Sequence, residues 1–331
     1  MGSFSFYPNL NQTSTLDCRS RLSLADSLDY LTQQSLATLN FDFTKLEPLI
    51  NTIRSGQRFP GTTFYIYAEI VIALYNNEQK KAIDWFNKII IEEPLPVIEF
   101  GPCRIRPYDA SPHLENQEIY TRAMDSDRDM HFFMNAPSNE LSHQFSHRII
   151  SAFKLMQLAM PELAEEFKVL VSDIVMVVGD VKSDYQFDGG SSYFLKGTLF
   201  LNATSHQTDI AMVEVLAHES AHMLLYACTF DEPLVLNPDE DLFPSPLRSD
   251  LRPMDGIYHA TFVSARMHWA MQSLIDSGTL NPEDLIAAQK ARDEDLNNFW
   301  AGYQVVKEHG ELTHSGEQII QTAVDYMGQF K

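Results

Sequence analysis

Positive charge is scarce in this chain. Its 331 residues hold 24 Lys and Arg against 45 Asp and Glu, a formal charge of −21. A surface of that sign repels phosphate backbones and anionic lipid, so neither nucleic acid nor a membrane is an expected partner. A small anion needs local cations to enter such a field, which makes each arginine near a candidate site informative. Cysteine is scarcer still: Cys18, Cys103 and Cys228 are odd in number and unevenly spaced, which argues against a disulfide framework. No apolar run approaches the length of a membrane span, and residues 1–20 lack the basic-then-apolar pattern of a secretory signal. Gly2 alone is a weak lipidation match, so a cytoplasmic protein is expected.

With 44% hydrophobic residues the chain can bury a large core, as one domain or two. Residues 1–20 read as an irregular arm. Leu24, Leu28 and Leu31, then Leu46, Leu49, Ile50 and Ile53, follow helical spacing. Pro60-Gly61 breaks that pattern, and two further helices separate near Asn76-Asn77, giving a helical N-terminal region over residues 1–98. An α+β core is expected over 99–278 and a packed helical flank over 279–331. Within the core, Asn139 to Met160 and a segment opened by Pro161 read as helices, and Val175 to Val178 and Tyr193 to Leu201 as strands. Residues 228–253, rich in proline, read as a long loop.

The stretch with the clearest chemistry is VEVLAHESAHMLLYA, Val213 to Ala227, capped by Thr208 or Asp209. On a helix, His218 and His222 share a face with Glu219 beside them, the H-E-x-x-H arrangement that binds a metal. Apolar residues on both sides predict a buried helix, where imidazoles need partners. A chance pair of core histidines or a purely structural ion is the plain alternative. Two histidines underfill a site. His259 is the favoured third ligand; Asp255, one turn before it, is a rival ligand or the group that orients its ring. His143 and His147 form a weaker four-residue pair without a carboxylate, and Arg104, Arg106, His113 and His131 have no spacing partner. A sheet followed by a metal helix predicts an α+β fold, mainly helical, with a small zincin-like sheet packed on the HExxH helix. By placement, Ser191, Ser192 and Tyr193 are the expected substrate contacts, where an extended peptide can lie along a strand edge.

The blocks LAHESAHMLLYA (residues 216–227) and SPLRSDLRPMDGIYHATFVSARMHW (residues 245–269) resemble the HExxH-domain proteins of peptide natural-product clusters, described as 2-oxoglutarate-dependent peptide β-hydroxylases. The resemblance covers roughly residues 170–270. It implies iron(II), 2-oxoglutarate and dioxygen acting on a peptide or carrier-protein-bound aminoacyl side chain. Carried over, His218, His222 and His259 are the metal ligands, and Arg252 and Arg266 the flanking arginines, either of which would hold the co-substrate's distant carboxylate. Glu219 would then be a ligand or a nearby acceptor. In the competing reading, a zinc peptidase, Glu219 is the general base that activates water. A third reading is a non-catalytic, metal-stabilised interaction domain.

Overall fold

Cap residues set where the helices begin. Asn9 accepts the amide of Gln12 through Oδ1 at 3.1 Å, and helix α1 runs Leu10–Ser35. The expected irregular arm through residue 20 is therefore helical from residue 10, and Asn9 with Gln12 three places on was a readable start signal. The computed structural model describes residues 4–96, 101–110, 114–124, 133–180, 188–230, 232–248 and 250–330. Gly2, His113, His131 and the boundary expected at 98–99 lie outside them. The described chain is α+β and mainly helical, with two small open sheets, and none of its helices is long and apolar enough to cross a membrane. Its contacts gather into two units.

One unit comprises Ser14–Gln144 and Leu170–Ser205. Helices α2 (Glu47–Arg54), α3 (Gly61–Tyr75) and α4 (Gln79–Ile89) bury Ile50, Ile53, Ile70 and Phe86 together with Leu28 of α1. Asn77 makes the turn between α3 and α4 at φ 59°, a left-handed conformation asparagine tolerates. Strands β1 (Arg104–Pro107), β2 (Asp173–Val177), β3 (Gly189–Ser191) and β4 (Thr198–Asn202) form a sheet of order β1-β2-β4-β3. The first two pairings are parallel and β3 is an antiparallel edge. Every residue of β2 and β4 is buried, as central parallel strands require. The strand expected from Tyr193 begins only at Thr198. Tyr193–Gly197 is turn structure, with Gly197 at φ +77° and room for no side chain: a Cβ there would lie 2.7 Å from Ser172 Oγ.

The second unit comprises Met1–Thr13, Phe145–Val169 and His206–Lys331. It takes most of α6 (Asn139–Ala159) and α7 (Pro161–Leu170), then α8 (Asp209–Cys228), α9 (Met254–Asp276), α10 (Pro282–His309) and α11 (His314–Met327). The hydroxyl of Thr208 accepts the Ala211 amide, and Asn281 and Thr313 cap α10 and α11 in the same way. Between the prolines of the expected loop, β5 (Leu242–Pro244) and β6 (Leu251–Pro253) pair as a ribbon leading into α9. Helix α9 packs against α8, α10 and α11 and is buried on nearly all sides.

Arg266 of α9 is 1% exposed. Its guanidinium pairs with Glu166 of α7 and donates to the Phe6 carbonyl at 2.6 Å. The other Glu166 oxygen accepts from the Asn9 amide at 3.0 Å and the Thr13 hydroxyl at 3.1 Å. Phe6 stacks on Tyr326 at 4.8 Å and meets Phe262 edge-on. One ion pair thus pins the N-terminal segment to α7 and α9. Removing one partner strands a buried charge, so Glu166→Ala should lower stability by about 3–5 kcal/mol, while Glu166→Leu combined with Arg266→Met should recover most of that loss. Urea midpoints of the three chains check this; a double variant as unstable as Glu166→Ala would show that the pair is not the anchor.

Candidate metal centre

From Met212 to Cys228, α8 is buried at every position except Glu214, His218, His222 and Tyr226. These lie four residues apart, so one stripe of an otherwise enclosed helix opens to solvent. The two histidines of HESAH sit at its middle. Their Nε2 atoms are 3.0 Å apart. His259, from α9, places its Nδ1 2.9 Å from Nδ1 of His222, with the two rings nearly parallel. Tyr226 lies against both His222 and His259, at 6.2 and 5.1 Å between ring centres. The Nδ1 of His218 is 3.4 Å from Met267 Sδ; with its proton there, the Nε2 lone pair is turned toward His222. Glu219 is buried, with Oε1 3.8 Å from His218 Nε2.

The electrostatics follow from crowding. Burial, with His206 and His259 nearby, lowers His218 to about 4. Burial and the neighbouring His218 and His259 push His222 well below the ordinary imidazole value. His259 is lowered by burial, against the opposing charge of Asp255. All three imidazoles are therefore neutral near pH 7, the form that donates a lone pair to a metal.

Among the described residues, no group of three or more His, Cys, Asp or Glu side chains is arranged to hold a metal ion as it stands. The His218 and His222 nitrogens nevertheless fit one ion, because metal bonds of about 2.1 Å at right angles separate two nitrogens by about 3.0 Å. His259 faces the other nitrogen of His222, and a single imidazole gives one ion only one nitrogen. To join the same ion, His259 must turn its ring toward the gap between His218 and His222.

The remaining expected residues divide. Asp255 is exposed, one turn before His259, and acts on that ring through its charge. Arg252, on β6, lies with Nε 2.8 Å from Asp250 Oδ2, an ion pair off the line of a good hydrogen bond. Arg266 corrects the expectation for the co-substrate: its guanidinium is taken up by Glu166 and Phe6, and helical spacing from His259 did not reveal those partners. Ser191, Ser192 and Tyr193 belong to the unit that holds the four-stranded sheet. Ser191 ends the edge strand β3, Ser192 donates its hydroxyl to the Ala123 carbonyl at 2.9 Å, and Tyr193 is half exposed against Phe194. His143 and His147 are exposed on α6.

Sequence reasoning missed Tyr226 and Glu214, although both continue the four-residue spacing of His218 and His222. It also missed Asp295 on α10, which gave no motif. Asp295 is 2% exposed and its Oδ2 has no hydrogen-bond partner. Burial, then the charges of Glu214 and Glu294, push its carboxyl up to about 9. Glu214 is raised for similar reasons. The folded protein thus keeps on Asp295 a proton that the unfolded chain releases above about pH 4, so stability falls as pH rises from about 4 through about 9. The histidines act oppositely: their lowered values make stability fall as pH drops below about 6.5. Asp295→Asn should flatten the alkaline decline and leave the acid limb in place, as read from melting temperatures between pH 5 and pH 9. An unchanged decline would remove Asp295 as its source.

The sequence matches no family model and no curated protein.

Proposed function

We propose that His218, His222 and His259 hold iron(II), and that the chain is a 2-oxoglutarate-dependent dioxygenase. It would hydroxylate an amino-acid side chain at the β-carbon, in a peptide or carrier-bound aminoacyl substrate of natural-product biosynthesis. The zincin-like form of the α+β fold is part of this reading. The observation that carries the metal assignment is a row of three neutral imidazoles, His222 on the open stripe of α8 with one nitrogen 3.0 Å from His218 and the other 2.9 Å from His259 of α9. The preference for hydroxylation rests on the resemblance of the HESAH and R-P-M-D-G-I-Y-H blocks.

Iron, when bound, supplies dioxygen activation coupled to decarboxylation of the keto acid. The chain's own residues do the rest. Met267 favours the His218 tautomer that leaves Nε2 free, and Tyr226 limits how far the His222 and His259 rings turn. Arg252 holds the distant carboxylate of 2-oxoglutarate, because Arg266 is committed to Glu166.

One observation favours the second reading, a zinc peptidase. Glu219 is buried with a carboxylate oxygen 3.8 Å from His218 Nε2, the neighbourhood a general base needs. The test is an anaerobic titration of the iron(II) protein with 2-oxoglutarate. A visible charge-transfer band, followed by succinate release when peptides and oxygen are added, is the expected outcome, and Arg252→Met should weaken keto-acid binding while Arg266→Lys leaves it near wild type. No band and no succinate, with zinc-dependent cleavage of a peptide, would give the site to the peptidase.

A further inference from the structure

Helix α1 buries one side and leaves the other open. Leu24, Ala25 and Leu28 pack into the core of the unit that holds the four-stranded sheet, while Thr15, Cys18, Arg19, Leu22, Asp26 and Tyr30 are exposed. Two of these are large and apolar: Leu22 is 41% exposed and Tyr30 60%. A shallow groove of about 700 Å³ runs along that side, lined by α1 residues from Thr15 to Tyr30. Thr15, Arg19, Leu22, Asp26 and Tyr30 follow one another at steps of three or four, which sets them in a single line along a straight helix.

Read from either end, this line has the same order with its charges exchanged. Leu22 is in the middle, Arg19 and Asp26 flank it, and Thr15 and Tyr30 lie beyond them. We propose that this face of α1 binds a second copy of the chain, the two helices running antiparallel about a two-fold axis beside Leu22. A two-fold contact uses the same patch on both copies, so the patch must complement itself. Here Leu22 of one copy meets Leu22 of the other, each Arg19 meets an Asp26, and each Thr15 leaves room for a Tyr30 ring. Charge selects this occupant and this direction. A surface carrying −21 repels a second copy at most approaches, but this line holds one cation and one anion and matches its own reverse. A parallel pairing would set Arg19 against Arg19 and Asp26 against Asp26. Neither charge has to be without a partner in its own chain. Asp26 takes Arg54 at 2.8 Å and is still 71% exposed at its side chain, Arg19 is exposed and has contacts of its own, and pairs at an open surface are shared or exchanged at little cost.

Sedimentation equilibrium of the full-length protein from about 1 to about 200 µM should show a molar mass rising from one chain toward two, as a small reversible interface requires. Arg19→Asp and Asp26→Arg should each weaken self-association at least about tenfold, because each sets like charges opposite one another twice. Mixed in equal amounts, these two variants should pair again, since one offers two acids where the other offers two bases. In a Cys18→Ser background, Leu22→Cys should close under mild oxidation into a disulfide-linked dimer. Cys18 of the wild type, held about 13 Å along the helix axis from its counterpart, should not cross-link. A wild-type monomer over the whole range would overturn the proposal. So would single charge variants that associate as well as wild type or fail to pair when mixed, or a cross-link that forms through Cys18 and not through Leu22→Cys. If a charge variant is unfolded by circular dichroism, the wild-type mass and the Leu22→Cys cross-link decide.

Discussion

Three imidazoles joined nitrogen to nitrogen in a row cannot all be charged, and here none is. His222 stands between His218 and His259 with one nitrogen toward each, at 3.0 and 2.9 Å. Neutral rings can hydrogen-bond in such a chain or give their lone pairs to a cation; protonated rings would repel. The surrounding unit keeps this arrangement. Helix α8 supplies the spacing, α9 brings His259 from another stretch of chain, and Met267 and Tyr226 fill the sides. Burial of α9 on nearly every face fixes its rotation, and so the direction from which His259 approaches.

The arginines show how a strongly acidic chain uses its few cations. Arg266 lies seven residues after His259, about two turns and close to the same face, which made it attractive as a co-substrate ligand. It is instead buried against Glu166, and the pair joins segments far apart in sequence. A fully buried guanidinium with a carboxylate partner is costly to redirect, whereas Arg252 on a partly exposed ribbon is cheap to redirect. That difference in burial, more than sequence position, separates the anchor Arg266 from the more accessible Arg252. Asp295 is the opposite case, a carboxyl that burial holds in its protonated form on the helix facing Glu214.

Much of this was readable from local rules. HESAH, the proline and asparagine starts of α7, α9 and α10, and the apolar stripes of α1 and α2 depend on neighbours within one or two turns, which sequence displays directly. The misreadings have physical sources. Tyr193, Phe194 and Leu195 favour strands by type, yet Gly197 at positive φ and its contact with Ser172 impose a turn. The ribbon of β5 and β6 hid behind its prolines, which edge strands tolerate. Glu166 as the partner of Arg266, and the pressure of Glu214 on Asp295, arise from packing between distant segments. Nothing in their own neighbourhoods announces them.

The central claim is that His259 belongs to one ligand set with His218 and His222, although its ring now faces the far nitrogen of His222. X-ray absorption at the iron edge, on protein loaded anaerobically with one equivalent of iron(II), counts imidazole ligands by their outer-shell scattering. The account predicts three imidazoles in the wild type and two in His259→Ala, with the fold intact by circular dichroism. Two imidazoles in both proteins would contradict it and leave His259 as a packing neighbour of the metal pair.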